Sequence, residues 1–327
     1  MGDDGEGRAR FSVSIPIDDD GFFGRECPRC SQHFRIAHED YDSLPDDLRI
    51  WCVYCGHEDE HSEFITSQQH DRVMRAARDY AQQFVGKMLN DTFGSRSRRS
   101  HSSGVKLSYR STPFFPAPLP GISEERLVRM RVCESCSVRY AVFGEHRFCP
   151  VCGRLAPLVT ALDALNADLV RLDTLTELPD DLRATLRETG ALQRTYVDTL
   201  ENIVGAVEVM AEQIFCSAVP NAEEILKSKG RVFQRLGDFA NLYAVHLAID
   251  LPGTTGPGWA VLIETWAARN VFTHCDGIVD AKYLAAVPTT TLRPGQRLQV
   301  AERTARLSIA HAVDLCYAID TGARPPT

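Results

Sequence analysis

Four Cys-x-x-Cys pairs restrict what the first half of this 327-residue chain can fold into. Two residues between cysteines form a tight knuckle that directs both thiolates at one ion, and two knuckles complete a tetrahedral shell of four thiolates. The four pairs are Cys27 and Cys30, Cys52 and Cys55, Cys133 and Cys136, and Cys149 and Cys152. Most of the 11 cysteines lie in these pairs, which is typical of metal ligation in a reducing compartment rather than of a disulfide framework.

Consecutive pairs group into two modules, and each ends in a glycine, Gly56 or Gly153, that lets the backbone turn behind the second knuckle. Neither module is long enough to bury a core by itself, so metal binding is expected to supply much of its folding free energy. We therefore predict two zinc ribbons, each with one structural zinc ion in a closed four-cysteine site, and hence two zinc ions per chain. Iron of the rubredoxin type and labile redox thiols are the alternatives for these cysteines.

Charge and composition indicate whether the protein binds nucleic acid or a membrane and in which cellular compartment it lies. The net charge of −8 and the pI of about 5.7 argue against a protein that coats nucleic acid through bulk charge. One basic cluster, Arg96, Arg98 and Arg99, lies in a Ser-rich stretch and is either a solvated linker or an arm that contacts nucleic-acid phosphates. No apolar run approaches the roughly 20 residues of a membrane span and the N-terminus is charged, so we predict a cytoplasmic protein that makes no membrane contact.

The apolar pattern divides the chain into five regions. Alternation over 11–15, 105–109 and 127–132 predicts short strands, whereas apolar residues three and four apart between Thr66 and Phe93 predict an amphipathic helix. The predicted regions are zinc ribbon 1 (1–65), a connecting helix (66–94), a flexible basic and Pro-rich linker (95–120), zinc ribbon 2 (121–156) and a helical bundle (157–327).

The last of these regions has long helical periodicity. It predicts one long helix from near Pro179 to about Ile214, followed by helices over 231–247, about 258–274 and 298–319. Four such helices are typical of a four-helix bundle. The predicted fold class is therefore mainly α: a C-terminal helical bundle preceded by two small β-rich modules that a helix joins.

The third predicted bundle helix ends in a stretch of polar residues, Arg269-Asn270 and then His274, before a helix stop at Asp276-Gly277. The bare pattern Arg-x4-His also occurs over 96–101 and 306–311. Only Arg269 is followed by Asn. In the third copy, Glu302 and Arg306 are spaced for an ordinary ion pair on one helix face.

An Arg, a polar residue, three further residues and a His at the end of a third bundle helix resemble the active-site motif of the HEPN (higher eukaryote and prokaryote nucleotide-binding) superfamily. The resemblance covers roughly residues 180–320. It implies a homodimer formed through the C-terminal bundle and a metal-independent endoribonuclease whose substrate is RNA. By the same resemblance, His274 transfers protons and Arg269 binds the scissile phosphate. Asn270 orients either the His274 or the Arg269 side chain. A role in defence or growth arrest and a regulatory protein partner are further family-level expectations.

The chemistry of RNA suits these residue types. RNA carries its own nucleophile, the 2′-hydroxyl, so cleavage needs a proton acceptor, a proton donor and a group that holds the charge on phosphorus. A histidine can serve as acid or base at cellular pH, and a guanidinium presents a fork to phosphate oxygens. Arg269 and His274 lie about 140° apart around a helix axis. A two-fold dimer could complete the site by bringing two copies of each residue together.

Three other interpretations remain open at this level. His274 could cap or satisfy a helix end, with Arg269 paired to Glu264 or Asp276. The zinc modules could be a binding platform for nucleic acid or protein, with the helices as its dimerisation element. The bundle could also be a sensor that binds a nucleotide through Arg269.

Overall fold

The computed structural model describes residues 13–45, 47–93, 116, 118, 119, 122 and 129–324. The chain divides into two compact units, 1–154 and 155–327. Arg96, Arg98 and Arg99, the first Arg-x4-His copy and the strand predicted over 105–109 all lie outside the described residues.

The first unit is built from short antiparallel strands and one long helix. A four-stranded sheet in the order β1-β2-β6-β5 is accompanied by two hairpins, β3–β4 and β7–β8. The strands are β1 (Phe22–Glu26), β2 (His33–Ala37), β3 (Arg49–Trp51), β4 (Glu58–Glu60), β5 (Arg129–Val132), β6 (Arg139–Val142), β7 (Phe148–Cys149) and β8 (Gly153–Arg154). The helices are α1 (His38–Asp42), a 3-10 turn (His61–Phe64) and α2 (Ser67–Phe93). Helix α2 occupies the stretch whose apolar spacing predicts a helix.

The four-stranded sheet contains strands of both cysteine modules. Strand β2 of the first module pairs antiparallel with β6 of the second, with Arg35 opposite Ala141 and Ile36 opposite Tyr140. Ile36 and Tyr140 are buried in the core of this unit. The two modules therefore form one folded body rather than two separate ones.

The predicted strand over 11–15 is wrong for its described part, since residues 13–15 have no strand. Nε of Arg72 on α2 donates a hydrogen bond to the backbone carbonyl of Ser14 at 2.9 Å. In a strand, this carbonyl would instead accept a hydrogen bond from the backbone of a neighbouring strand. Strand β5 lies within the stretch predicted over 127–132.

The second unit is helical. Its helices are α3 (Pro157–Thr176), α4 (Asp180–Glu188), α5 (Ala191–Ala218), α6 (Ala222–Leu226), α7 (Leu236–Leu247), α8 (Leu251–Thr255), α9 (Gly258–Cys275), α10 (Ala281–Ala286) and α11 (Glu302–Ala323). Helix α5 packs against α3, α9 and α11, and α3 also packs against α11. Apolar side chains of these four helices form one continuous buried core. Within the described residues, no helix combines the length and apolarity that crossing a bilayer requires.

Two predictions about the bundle are wrong in detail. The single helix predicted from Pro179 to Ile214 is two helices, because Gly190 adopts a left-handed backbone (φ +78°) that ends α4 before α5 begins. The 231–247 segment is also not one of the four central helices. It begins as a 3-10 turn (Val232–Gln234), passes through an extended Arg235 and continues as α7, while α3 takes the fourth central position.

Candidate functional site

The eight paired cysteines form two groups of four, and in each group all four sulfur atoms lie within 4.8 Å of one another. The Sγ–Sγ distances are 3.7 Å for Cys27–Cys55, 3.7 Å for Cys30–Cys52, 3.4 Å for Cys133–Cys152 and 3.6 Å for Cys136–Cys149. A tetrahedral ion with metal–sulfur bonds of about 2.3 Å separates its sulfur ligands by about 3.8 Å. Both groups can therefore hold a metal ion, and each is made from the two knuckles of one module, as the spacing predicts.

The knuckle backbone positions the sulfur atoms in the same way in both modules. The N–H of Arg29 donates to Cys27 Sγ, and the N–H of Val151 donates to Cys149 Sγ, both at 3.4 Å. Burial raises the pKa of the Cys52 and Cys149 thiols. A cation at the centre of each group would hold these buried sulfurs as thiolates.

Two reciprocal backbone hydrogen bonds and one pair of stacked rings join the second knuckles of the two modules, in an approximately two-fold arrangement. The N–H of Trp51 donates to the carbonyl of Pro150 at 2.9 Å, and the N–H of Phe148 donates to the carbonyl of Val53 at 3.1 Å. The rings of Trp51 and Phe148 stack with centroids 6.1 Å apart. Each donor precedes the third cysteine of its own module, and each acceptor follows the third cysteine of the other module. The two modules, each with one four-cysteine group, are thus joined by backbone hydrogen bonds beside their cysteines as well as by a shared sheet.

An ion pair adds a further link between the modules. The guanidinium of Arg139 on β6 donates to the carboxylate of Asp40 on α1, with its Nη2 at 2.8 Å from Asp40 Oδ1, and to Glu39 Oε2 at 2.9 Å. These hydrogen bonds hold the pKa of Asp40 below its ordinary value.

In the second unit, Arg269, Asn270 and His274 line one cavity of about 430 Å³. All three belong to α9, which ends at Cys275 because Asp276 adopts a left-handed backbone (φ +49°) and returns its N–H to the carbonyl of Val271. The helix stop predicted at Asp276-Gly277 is confirmed. Arg269 and His274 are too far apart around the helix axis to contact each other, but both line this cavity.

The side chains of the motif are accessible from this cavity. His274 and Asn270 are exposed and Arg269 is half-buried. Arg269 Nη1 donates to Asn270 Oδ1 at 3.2 Å, which fixes the guanidinium beside the amide. Asp276 lies 3.7 Å from Arg297, and within 129–324 and the other described residues Arg269 forms no ion pair with a carboxylate. The pairing of Arg269 with Glu264 or Asp276 that the sequence left open is thus not formed here.

Three further cations line the same cavity, and sequence reasoning missed them. They are Arg231, Arg235 and Lys282. Arg231 and Arg235 flank the 3-10 turn before α7, and Lys282 lies in the first turn of α10. No motif spacing connects these positions to α9, so only the fold brings them together.

The third Arg-x4-His copy is an ordinary helix surface. Arg306 Nε donates to Glu302 at 2.9 Å, which confirms the predicted pair, and its Nη1 donates to Asp173 at 2.6 Å. His311 Nδ1 lies 3.3 Å from Asp314.

No family model, no curated protein and no solved structure matches this chain. The resemblance to the HEPN superfamily therefore depends on the sequence motif and on its place at the end of a bundle helix.

Proposed function

We propose that the second unit is an endoribonuclease of the HEPN type that cleaves RNA in a homodimer, and that the first unit recognises the RNA target or a protein partner. The observation that carries the proposal is the shared cavity of Arg269, Asn270 and His274. A cavity with a guanidinium, an amide and an imidazole on its wall has the kinds of group that phosphodiester cleavage uses.

The reaction is an internal transfer. The 2′-hydroxyl attacks the adjacent phosphorus, the 5′-oxygen of the next nucleotide leaves, and the products end in a cyclic phosphate and a free 5′-hydroxyl. A neutral His274 accepts the proton of the 2′-hydroxyl, and a protonated imidazole donates one to the leaving oxygen. Arg269 holds the non-bridging oxygens while negative charge accumulates on them.

A dimer supplies the second imidazole. One side chain cannot accept and donate a proton in the same step, whereas two copies of α9 related by a two-fold axis provide one His274 for each role. The same axis brings a second Arg269 to the phosphate. The exposure of His274 and Asn270 at the end of α9 is compatible with such a shared site.

Zinc is the ion that best fits the two four-cysteine groups. Four thiolates at tetrahedral separation form a closed shell that leaves no position for a substrate, so the ions would stabilise the first unit and take no part in catalysis. Their role would be to supply folding free energy to a unit that is built from short strands.

The decisive experiment measures cleavage of a fluorogenic RNA by the full-length protein and its variants. His274→Ala is expected to reduce the rate at least about 100-fold, because proton transfer by a positioned side chain contributes that much. His311→Ala, which removes the histidine of the other described Arg-x4-His pattern, is the matched control and should cleave normally. Circular dichroism and light scattering establish that both variants keep their fold and oligomeric state. Undiminished cleavage by His274→Ala would disprove the role of His274 in proton transfer.

A nucleotide sensor is the second candidate, because the cavity volume falls within the range of about 300–1,000 Å³ typical of small-ligand sites. A nucleotide that raises the melting temperature while RNA stays intact would favour this sensor. RNA affinity that survives loss of both Arg269 and His274, without cleavage, would instead favour a zinc-ribbon platform.

A further inference from the structure

Positive charge is concentrated in the cavity beyond what the α9 motif supplies. The whole chain carries a net charge of −8, yet four Arg or Lys side chains and a single carboxylate, that of Asp280, line this cavity. A concave surface with one sign of charge focuses the electrostatic field and attracts a ligand of the opposite sign. The cavity is therefore suited to a ligand with more than one negative charge.

The carboxylate and one of the cations already have structural tasks. Asp280 Oδ1 accepts the N–H of Tyr283 at 2.8 Å and caps the start of α10. Arg235 forms an ion pair with Asp238 and donates to the carbonyl of Lys229 at 3.1 Å. Asp280 and Arg235 therefore already have partners within the protein.

Arg231 and Lys282 remain available to a ligand. Both side chains are exposed. In the part of the chain that the structure describes, neither forms an ion pair. Arg231 directly precedes the 3-10 turn and Lys282 lies in α10, so both cations reach the cavity from elements other than α9.

Part of the remaining wall of the cavity is apolar, beside the side chains of Gln234 and Cys275. Ala267, Val271, Tyr283 and Ala286 line it, and Tyr283 is almost fully buried. A wall of this kind can contact the face of an unpaired base or a ribose, while the cations contact phosphates. A duplex keeps its bases stacked and paired, so a cavity of about 430 Å³ suits a single strand.

We propose that Arg231 and Lys282 form a second phosphate subsite, which binds the phosphate next to the scissile one in a single-stranded RNA. The inference rests on the proposed function, since Arg269 and His274 define the scissile position. It predicts that affinity depends on a phosphate the reaction does not break.

Three short RNA analogues test the subsite by binding alone. All are 2′-O-methylated uridine dinucleotides, which lack the nucleophile and cannot be cleaved: one with only its internal phosphate, one with an added 5′-phosphate and one with an added 3′-phosphate. We expect at least one added phosphate to tighten binding to the full-length protein about tenfold, the effect of about 1.4 kcal/mol. In the Arg231→Ala/Lys282→Ala variant, the same phosphate should add little.

Arg303→Ala is the matched control, because Arg303 is an exposed cation of α11 that does not line this cavity. It should keep the full gain from the added phosphate. The subsite is disproved if neither added phosphate tightens binding or if the gain survives in the double variant. Failure of the proposed function has a different signature: the affinity pattern appears as expected, but the unmodified protein leaves natural RNA uncleaved.

Discussion

At the scale of single residues, the joined second knuckles depend on two positions without side chains. Gly56 adopts φ +71°, and a Cβ added there would lie 2.4 Å from Cζ of Phe148. Gly153 has the equivalent role, with an added Cβ 3.2 Å from Cε2 of Trp51. Each glycine therefore serves both the turn behind its own cysteines and the aromatic ring of the other module.

We predict that Gly56→Ala lowers the free energy of unfolding of the first unit by about 1–3 kcal/mol more than Gly21→Ala does, the ordinary cost of overpacking. Gly21 is a matched control, because its φ is +80° and an added Cβ would meet nothing within 4 Å. Both variants pay the backbone strain, and only Gly56→Ala also displaces Phe148. The measurement is the denaturant concentration at which bound metal is released to a coloured chelator. Equal midpoints for the two variants would show that the contact with Phe148 is unimportant.

The residues of the two sites differ in how well the sequence predicts them. The eight cysteines of the two candidate metal sites are predicted by local spacing, because a knuckle is formed by residues close together in the chain. Arg269, Asn270 and His274 lie within six consecutive residues of one helix, so their motif can also be recognised in the sequence. Arg231 and Lys282 are not, since they reach the cavity only through the packing of separate elements, and no sequence period connects them. Residues that are far apart in the sequence and meet at one cavity can be identified only when the fold is known.

At the scale of elements, the pairing of β2 with β6 is the feature that local patterns could not reveal. After their first residue both strands are continuously buried, and the partner of such a strand depends on residues far away in the chain. Arg35 and Ala141, which occupy equivalent positions in their modules, lie opposite each other. The resulting sheet predicts that the two metal groups depend on one another.

We expect the Cys133→Ser/Cys136→Ser variant to lose both metal ions rather than one. Removing the second group frees the backbone around Pro150, whose carbonyl accepts the N–H of Trp51, directly beside Cys52 of the first group. Metal content is measured by elemental analysis after dialysis against a weak chelator. Cys216→Ser, which changes an exposed cysteine outside both groups, should leave the content unchanged. Retention of one ion per chain by the double variant would show that the groups are independent.

At the scale of the whole molecule, the two units differ in the sources of their stability. The second unit has one continuous apolar core along α3, α5, α9 and α11. In the described part of the chain, both four-cysteine groups lie in the first unit, whose strands are no longer than five residues. The first unit also buries apolar side chains, among them Phe34, Ile50 and Phe64. We therefore expect hydrophobic burial to stabilise both units, and metal ligation to contribute to the first unit alone.

This difference predicts two unfolding transitions in the intact protein, of which a chelator shifts only one. A metal that binds the folded state stabilises it in proportion to the logarithm of its free concentration, so a strong chelator should lower the melting temperature of the first unit or abolish its transition. The second unit has its core without such ligands and should melt at the same temperature with or without chelator. Differential scanning calorimetry records both transitions, and far-ultraviolet circular dichroism separates them, because the second unit supplies most of the helix. Added Zn²⁺ should restore the lost transition, whereas Mg²⁺, which prefers oxygen ligands, should not. A single transition that moves as a whole on chelation would mean that the units unfold together, and that metal ligation stabilises the helical bundle as well.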